Sequence, residues 1–347
     1  MQTDYIIVGL GLAGLAFAEK LRKENKTFVV FDDQSQQASL VAAGVYNPVI
    51  LKRFTPVWDA MDQLSVALPF YKELEQRLNV VLDHKFEILR IFKSVEEQNN
   101  WFKACDRPVL SNFMIPAIAK NTNTNVIAPF NAGKVTNVGR IDIVIMINSY
   151  KEYLESQNRF HSEQFDYKGV EIFEDSVSYK DITAKKIVFC EGYGIHKNPF
   201  FKDVELQEVK GELLTIYAPG LNVDEVLKAA VFVLPLGGDK YRVGATFTWA
   251  DKTNEPTEKG RQELVEKLKT VIKTDFEIID QSAGIRPAVK DRRPLLGRHK
   301  EYPQLAVLNG LGTRGVMLAP KMAQLLYDHL ENNADLPPEV LLYRFHK

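Results

Sequence analysis

Residues Tyr5 to Ala18, YIIVGLGLAGLAFA, constrain the fold more than any other stretch of the chain. The run is apolar, yet shorter than the roughly 20 residues a membrane-spanning helix needs. No Lys or Arg precedes it to form the basic start of a signal peptide. Its three glycines point elsewhere. Asp4 to Val8 reads as a buried parallel strand, and Gly9-Leu10-Gly11-Leu12-Ala13-Gly14 follows at once. Leu15 to Asn25 has helical spacing, with Leu15, Ala18 and Leu21 on one face and Asn25 as a left-handed stop. Thr27 to Phe31 is a second strand ending at Asp32 and Asp33. In this β-α-β unit Gly9 permits the tight turn, Gly11 lets backbone approach a pyrophosphate, and Gly14 lets helix pack on strand. The helix start offers unpaired N–H groups and about half a positive charge to the phosphates. Asp32, eighteen residues past Gly14, is placed to accept from ribose hydroxyls. An acid there argues against a 2′-phosphate. The unit predicts dinucleotide binding, with NAD and FAD both open.

A chain of 347 residues exceeds one compact core and suits about two domains. With 44 basic and 45 acidic residues it has no global field to draw in nucleic acid, so a polyanionic partner is weakly supported. Cys105 and Cys190 are the only cysteines, too few for a disulfide framework, and a reducing cytoplasm is the expected location. His161, His196 and His299 lack ligand spacing and no H-E-x-x-H or C-x-x-C occurs, so no metal is expected. No G-x-S-x-G elbow offers hydrolase chemistry. Lys290, Arg292, Arg293, Arg298 and Lys300 form a basic cluster, read as a solvated face with RNA contact as the alternative.

Further along, 34–48 reads as a loop, 57–78 as a helix, 79–135 as mixed with a strand at 86–92, 141–156 as a helix and 185–189 as a strand. From Gly211 the texture is strand-rich, interrupted by an amphipathic helix over 255–273. A strand at 304–308, a glycine loop at 309–315 and a helix over 316–331 close the chain. No internal repeat is present.

Several stretches together resemble the D-amino-acid oxidase family of flavoproteins, which includes glycine and sarcosine oxidases. They are YIIVGLGLAGLAFAEKL…TFVVFD, ASLVAAGVYNP (38–48), KKIVFCEG (185–192), VKGELLTIYAP (209–219), YRVGATF (241–247), AGIRPAVKDRRPLLG (283–297) and LNGLGTRGVMLAP (308–320). The resemblance covers most of the chain in the family's order and selects FAD. It implies an α/β fold class: a discontinuous Rossmann-like FAD-binding domain from residues 1–52, 138–210 and 282–347, and a smaller α+β substrate domain with a mainly antiparallel sheet from 53–137 and 211–281. The implied FAD contacts are Gly9, Gly11, Leu12, Ala13, Gly14, Asp32, Asp33, Ser39, Ala42, Ala43, Gly44, Phe165, Cys190, Glu191, Gly192, Gly312, Thr313, Arg314, Gly315, Val316 and Met317. No cysteine lies near the C-terminal motifs where sarcosine-oxidase-like relatives attach flavin, so the FAD is expected to be noncovalent.

The implied reaction is oxidation of the C–N bond of an amino acid or secondary amine, with hydride passing to flavin N5 and the imine then hydrolysing. The acceptor that reoxidises the flavin is oxygen or unknown. Arg286 of the G-I-R-P motif is the expected catalytic and substrate-binding residue, clamping a carboxylate through both oxygens; a structural pairing with Asp291 is its bland alternative. Tyr46 and Phe232 are the other expected substrate contacts, Phe232 standing where family oxidases often carry a tyrosine. Leu311 replaces a frequent histidine, and GTRG at 312–315 is similar to the flavin domain of the bifunctional enzyme that finishes a tRNA wobble-uridine modification. Two alternatives therefore stand: demodification of a tRNA side chain, and flavin binding without catalysis.

Overall fold

The computed structural model describes residues 1–345, so the last two residues of the 282–347 segment lie outside the described residues. The described residues build two large sheets that face a shared cavity. In the first, strands Leu305–Asn309, Ile182–Phe189, Gln2–Val8, Phe28–Phe31 and Phe160–His161 run parallel in that spatial order. Strand Leu295–Arg298 pairs antiparallel beyond Leu305–Asn309. The first strand, helix Leu12–Lys23 and second strand are the unit read from the glycine motif, and Asn25 takes φ 55° as the expected stop.

Alternation along the strands buries both faces of this sheet. Tyr5, Ile7, Phe28 and Val30 pack toward the helices, while Ile6, Val8, Val29 and Phe31 pack with Phe165, Tyr179, Phe189 and Phe201 on the other side. Helix Leu12–Lys23 lies against Ile143–Ser156 and the C-terminal helix Gly315–Asn332, which also packs on Ala60–Leu78. Buried Glu19 ties helix Leu12–Lys23 to Ala60–Leu78 and Ile143–Ser156. Its carboxylate accepts from Arg22 at 2.9 Å, Arg77 at 2.8 Å and the Tyr150 hydroxyl at 3.3 Å, so its charge is compensated where an isolated one would be costly. The Tyr71 hydroxyl donates to the Val316 carbonyl at 2.8 Å and so fixes the start of the C-terminal helix.

The second sheet runs Glu277–Ala288, Gln207–Tyr217, Lys240–Gly244, Phe232–Gly237, Val226–Lys228, Asp83–Ile91, Ala132–Ile141 and Val45–Tyr46, with Met114–Ala119 also on Ala132–Ile141. All pairs are antiparallel except Val226–Lys228 with Asp83–Ile91. Leu214, Ile216, Val233, Tyr241 and Val243 pack under Leu264 and Leu268 of helix Glu258–Lys269. The opposite face meets the cavity. The boundaries expected at 137/138, 210/211 and 281/282 fall inside the strands Ala132–Ile141, Gln207–Tyr217 and Glu277–Ala288.

The mixed region 79–135 holds an unforeseen helix, Val95–Cys105, capped by Ser94, whose hydroxyl accepts from the Glu97 N–H at 3.2 Å. The expected loop at 34–48 contains a short helix, Ala38–Val41, and the edge strand Val45–Tyr46. The basic cluster disperses: Arg298 donates to the His329 and Leu330 carbonyls at the C-terminal helix end, and Lys290 pairs with Glu205 at 3.5 Å. Among the described residues no helix is long and apolar enough to cross a membrane.

Candidate active site

The carboxyl ends of the parallel strands and one face of the second sheet enclose a cavity of about 620 Å³, within the roughly 300–1,000 Å³ common for ligand sites. Gly9, Gly11, Leu12 and Ala13 line one end. Gly9 has φ +99°, and a Cβ there would meet the Cys190 carbonyl at 2.6 Å. Gly14 does not line the cavity; a Cβ on it would lie 1.9 Å from the Gly9 carbonyl oxygen, so it serves the close helix–strand contact. The helix Leu12–Lys23 has no side-chain cap and no acid in its first turn, which leaves its positive end open to an anion. Ser39 accepts from the Leu12 N–H at 3.2 Å, bringing 38–44 alongside the glycine loop. Ser39, Ala42, Ala43 and Gly44 all line the cavity.

This end of the cavity is acidic. Asp32 accepts from the Leu10 N–H and from the Gln34 N–H at 2.5 Å, and burial holds its carboxyl above the usual range. Asp33 lines the cavity near it. Glu191 accepts from Tyr167 at 2.5 Å and Asn198 at 2.8 Å, yet burial still pushes it up to about 7. Phe165, Cys190 and Gly192 complete that wall; the Cys190 thiol is raised by burial, which leaves it a packing residue.

Another part of the cavity is basic. Gly312, Thr313, Arg314, Gly315 and Val316 line it at the start of the C-terminal helix, which abuts the glycine loop where a Cβ on Gly315 would meet Leu12 at 2.7 Å. Burial, then Arg292 and Arg293, lower the Arg314 guanidinium from its ordinary value. Met317 turns into the core at 1 % exposure and lies off the cavity. Arg286 and Phe232 line the cavity from the second sheet. The Arg286 guanidinium rests flat over Gly211, donates to the Thr246 carbonyl at 3.3 Å, and stacks 4.7 Å from the Phe247 ring. Among the described residues it pairs with no acid, because Asp291 is taken by Arg344 at 2.8 Å. Burial alone pulls it down to about 10.

Tyr46 departs from its expected place. It pairs with Gly139 on the edge of the second sheet, and the period-two alternation that turns Val45 and Asn47 to the cavity turns Tyr46 away. Its hydroxyl donates to Asp83 at 2.8 Å and accepts from Lys85 at 2.6 Å.

Residues 4–329 match the FAD dependent oxidoreductase family, DAO. The chain belongs to that family. It is an FAD-dependent oxidoreductase. It is 23% identical to a glycine oxidase of Bacillus subtilis, over 95% of this chain and 93% of that one. It is 20% identical to a tRNA 5-methylaminomethyl-2-thiouridine biosynthesis bifunctional protein of Marinobacter nauticus, covering 94% of this chain and 55% of that protein. The solved L-amino acid deaminase of Proteus vulgaris superposes with a TM-score of 0.80 at 16% identity, covering 99% of this chain and 97% of that one.

The cavity of this family member fits FAD on its own geometry. Substituting Gly9 or Gly14 would drive a Cβ into backbone, and a Cβ on Gly11 would crowd Ser39 Oγ at 3.0 Å, so the loop is held close and bare at the helix N-terminus. Asp32, Asp33 and Glu191 line the cavity and offer it the acceptors that sugar hydroxyls need. Gly312, at φ +56°, brings bare backbone to the cavity wall just before the C-terminal helix. Sequence reasoning missed Lys228, Gly211, Gly244 and Phe247, which line the same basic part of the cavity. Strand pairing across five segments brings them together, and no local pattern reports it.

Proposed function

We propose that the protein oxidises the C–N bond of an amine or amino acid bearing a carboxylate, with Arg286 as the carboxylate clamp. The observation that carries this reading is the Arg286 guanidinium, buried against the cavity with no acid partner among the described residues. The names of the relatives, a glycine oxidase and an L-amino acid deaminase, support the same substrate class. Bound FAD supplies the two-electron sink. Arg286 would hold the carboxylate through two parallel hydrogen bonds and so fix the neighbouring C–N bond. Phe232, Leu213 and Leu311 exclude water from the reacting carbon. The start of helix Gly315–Asn332 directs unpaired N–H groups at the same part of the cavity, where negative charge would be stabilised. We assign the sequence-derived cofactor contacts to FAD, other than Gly14 and Met317, and retain the division into an FAD domain and a substrate domain.

A second reading, a carboxymethylaminomethyl-uridine of tRNA as substrate, is favoured by Arg314 beside Arg292 and Arg293, the last stacked 4.6 Å from Trp58. One screen tests both. Glycine, N-methylglycine, D-proline, the modified nucleoside and simple amines are added anaerobically to the purified yellow protein. Bleaching by a carboxylate-bearing amine is expected; bleaching by simple amines alone sinks the clamp.

A further inference from the structure

Lys228 has no role in the reading above. It stands on strand Val226–Lys228, lines the cavity, and pairs with no acid among the described residues. Its ammonium lies 5.8 Å from the Phe232 ring. The neighbouring charges are cations already matched: Arg90 pairs with Glu97, and Lys267 with Glu263 at 2.5 Å. Burial, then Arg90 and Lys267, lower Lys228 to about 8. A lysine held in such a place is costly unless a ligand brings an anion.

Sheet register puts Lys228 and Arg286 on one face. Lys228 pairs with Phe232, Phe232 with Gly244, Gly244 with Leu213, and Gly211 with Gly284, two residues before Arg286. Partners across a ladder share a face, as do residues two apart along a strand. A Cβ on Gly244 would meet Leu213 at 2.0 Å and Phe232 at 3.0 Å, so this face has an apolar floor between two cations. The Arg286 guanidinium rests over the strand of Gly211, three strand positions from Lys228. Gly211 lies two residues along its strand from Leu213, the residue level with Lys228, so at about 4.8 Å per strand and about 3.3 Å per residue the backbones are about 16 Å apart. Lys228 leans back over Phe232, which brings the charged heads to about 12 Å. With each acceptor oxygen about 3 Å from its cation, about 6 Å remains between the two acceptors. A short dicarboxylic amine spans that gap.

We infer that the site takes an amine carrying two anionic groups, one carboxylate held by Arg286 and the second by Lys228 across Phe232. The inference rests on the amine-oxidation reading, and its test separates the two. FAD-loaded protein is titrated calorimetrically with glutarate, succinate and pentanoate, and anaerobic bleaching is measured with D- and L-aspartate, D- and L-glutamate, N-(carboxymethyl)glycine and alanine. The dicarboxylates are expected to bind at least ten-fold more tightly than pentanoate. Lys228→Met should bring that ratio to within about two-fold, and Lys228→Arg should keep it. Lys228→Gln serves as the neutral variant if Lys228→Met fails to hold FAD. Equal binding of mono- and dicarboxylates by the parent protein overturns the inference, as does an equal loss of both in the neutral variant. If the Lys228-dependent preference is found but no amine bleaches the flavin, the two-anion site stands and the oxidation reading falls.

Discussion

Gly211→Ala perturbs the proposed clamp without touching the arginine. A methyl carbon on Gly211 would lie 1.9 Å from Arg286 Nη2, 2.1 Å from Cζ and 2.2 Å from Nη1. Ordinary van der Waals contact begins at 3.4 Å, so the guanidinium must retreat by about 1.5 Å. The obstacle is the far end of a flexible side chain and Gly211 needs no left-handed backbone, so the fold should survive. The change falls on placement. Each charge-assisted hydrogen bond is worth about 1.5–3 kcal/mol. Losing the bidentate alignment should cost about 3 kcal/mol, on the order of a hundred-fold in kcat/KM. The assay is anaerobic stopped-flow flavin reduction with the best carboxylate-bearing amine, with FAD affinity measured beside it. In an Arg286→Ala background the same change should cost almost nothing, because the group it displaces is gone. A Gly211→Ala enzyme within three-fold of the parent, or a loss that adds fully to that of Arg286→Ala, would refute the reasoning.

Two further outcomes follow from the acidic end. Asp32→Ala removes a charged acceptor and also releases the Leu10 and Gln34 N–H groups it braces; at about 1.5–3 kcal/mol, FAD affinity should weaken roughly ten-fold or more, and unchanged affinity in a fluorescence titration would show that Asp32 holds no ribose. Glu191 sits at about 7 in the folded protein against an ordinary 4.5, so the folded state holds that proton more tightly than the unfolded chain. Stability is therefore lost as pH rises from about 4.5 to about 7, by about 3 kcal/mol at most. In Glu191→Gln, urea unfolding at fixed excess FAD should lose that part of the pH slope; identical slopes in parent and variant would place the titration elsewhere.

The sequence by itself determined the parts of this protein that are contiguous. The turn at Gly9, the helix behind it, the strand ending at Asp32 and the glycine loop before the C-terminal helix each depend on residues within one supersecondary unit. Backbone sterics and helix-end electrostatics act at that range, so spacing alone reveals them. Where the signal was local but weak, as for the helix Val95–Cys105, polar surroundings hid it. Tertiary structure decided the rest. Tyr46 and Val45 are equally plausible neighbours of a ligand in sequence; pairing with Arg140 and Gly139 sends one into the cavity and the other to Asp83. Asp291, close to Arg286 in the chain, is claimed by Arg344 from the far end, which leaves Arg286 without an acid partner among the described residues. Lys228 and Arg286, 58 positions apart, face one cavity because five strands align in register. Side-chain direction in a sheet alternates with every residue, so a ligand-facing set is fixed by pairing partners far along the chain. That information exists only once the sheet has closed.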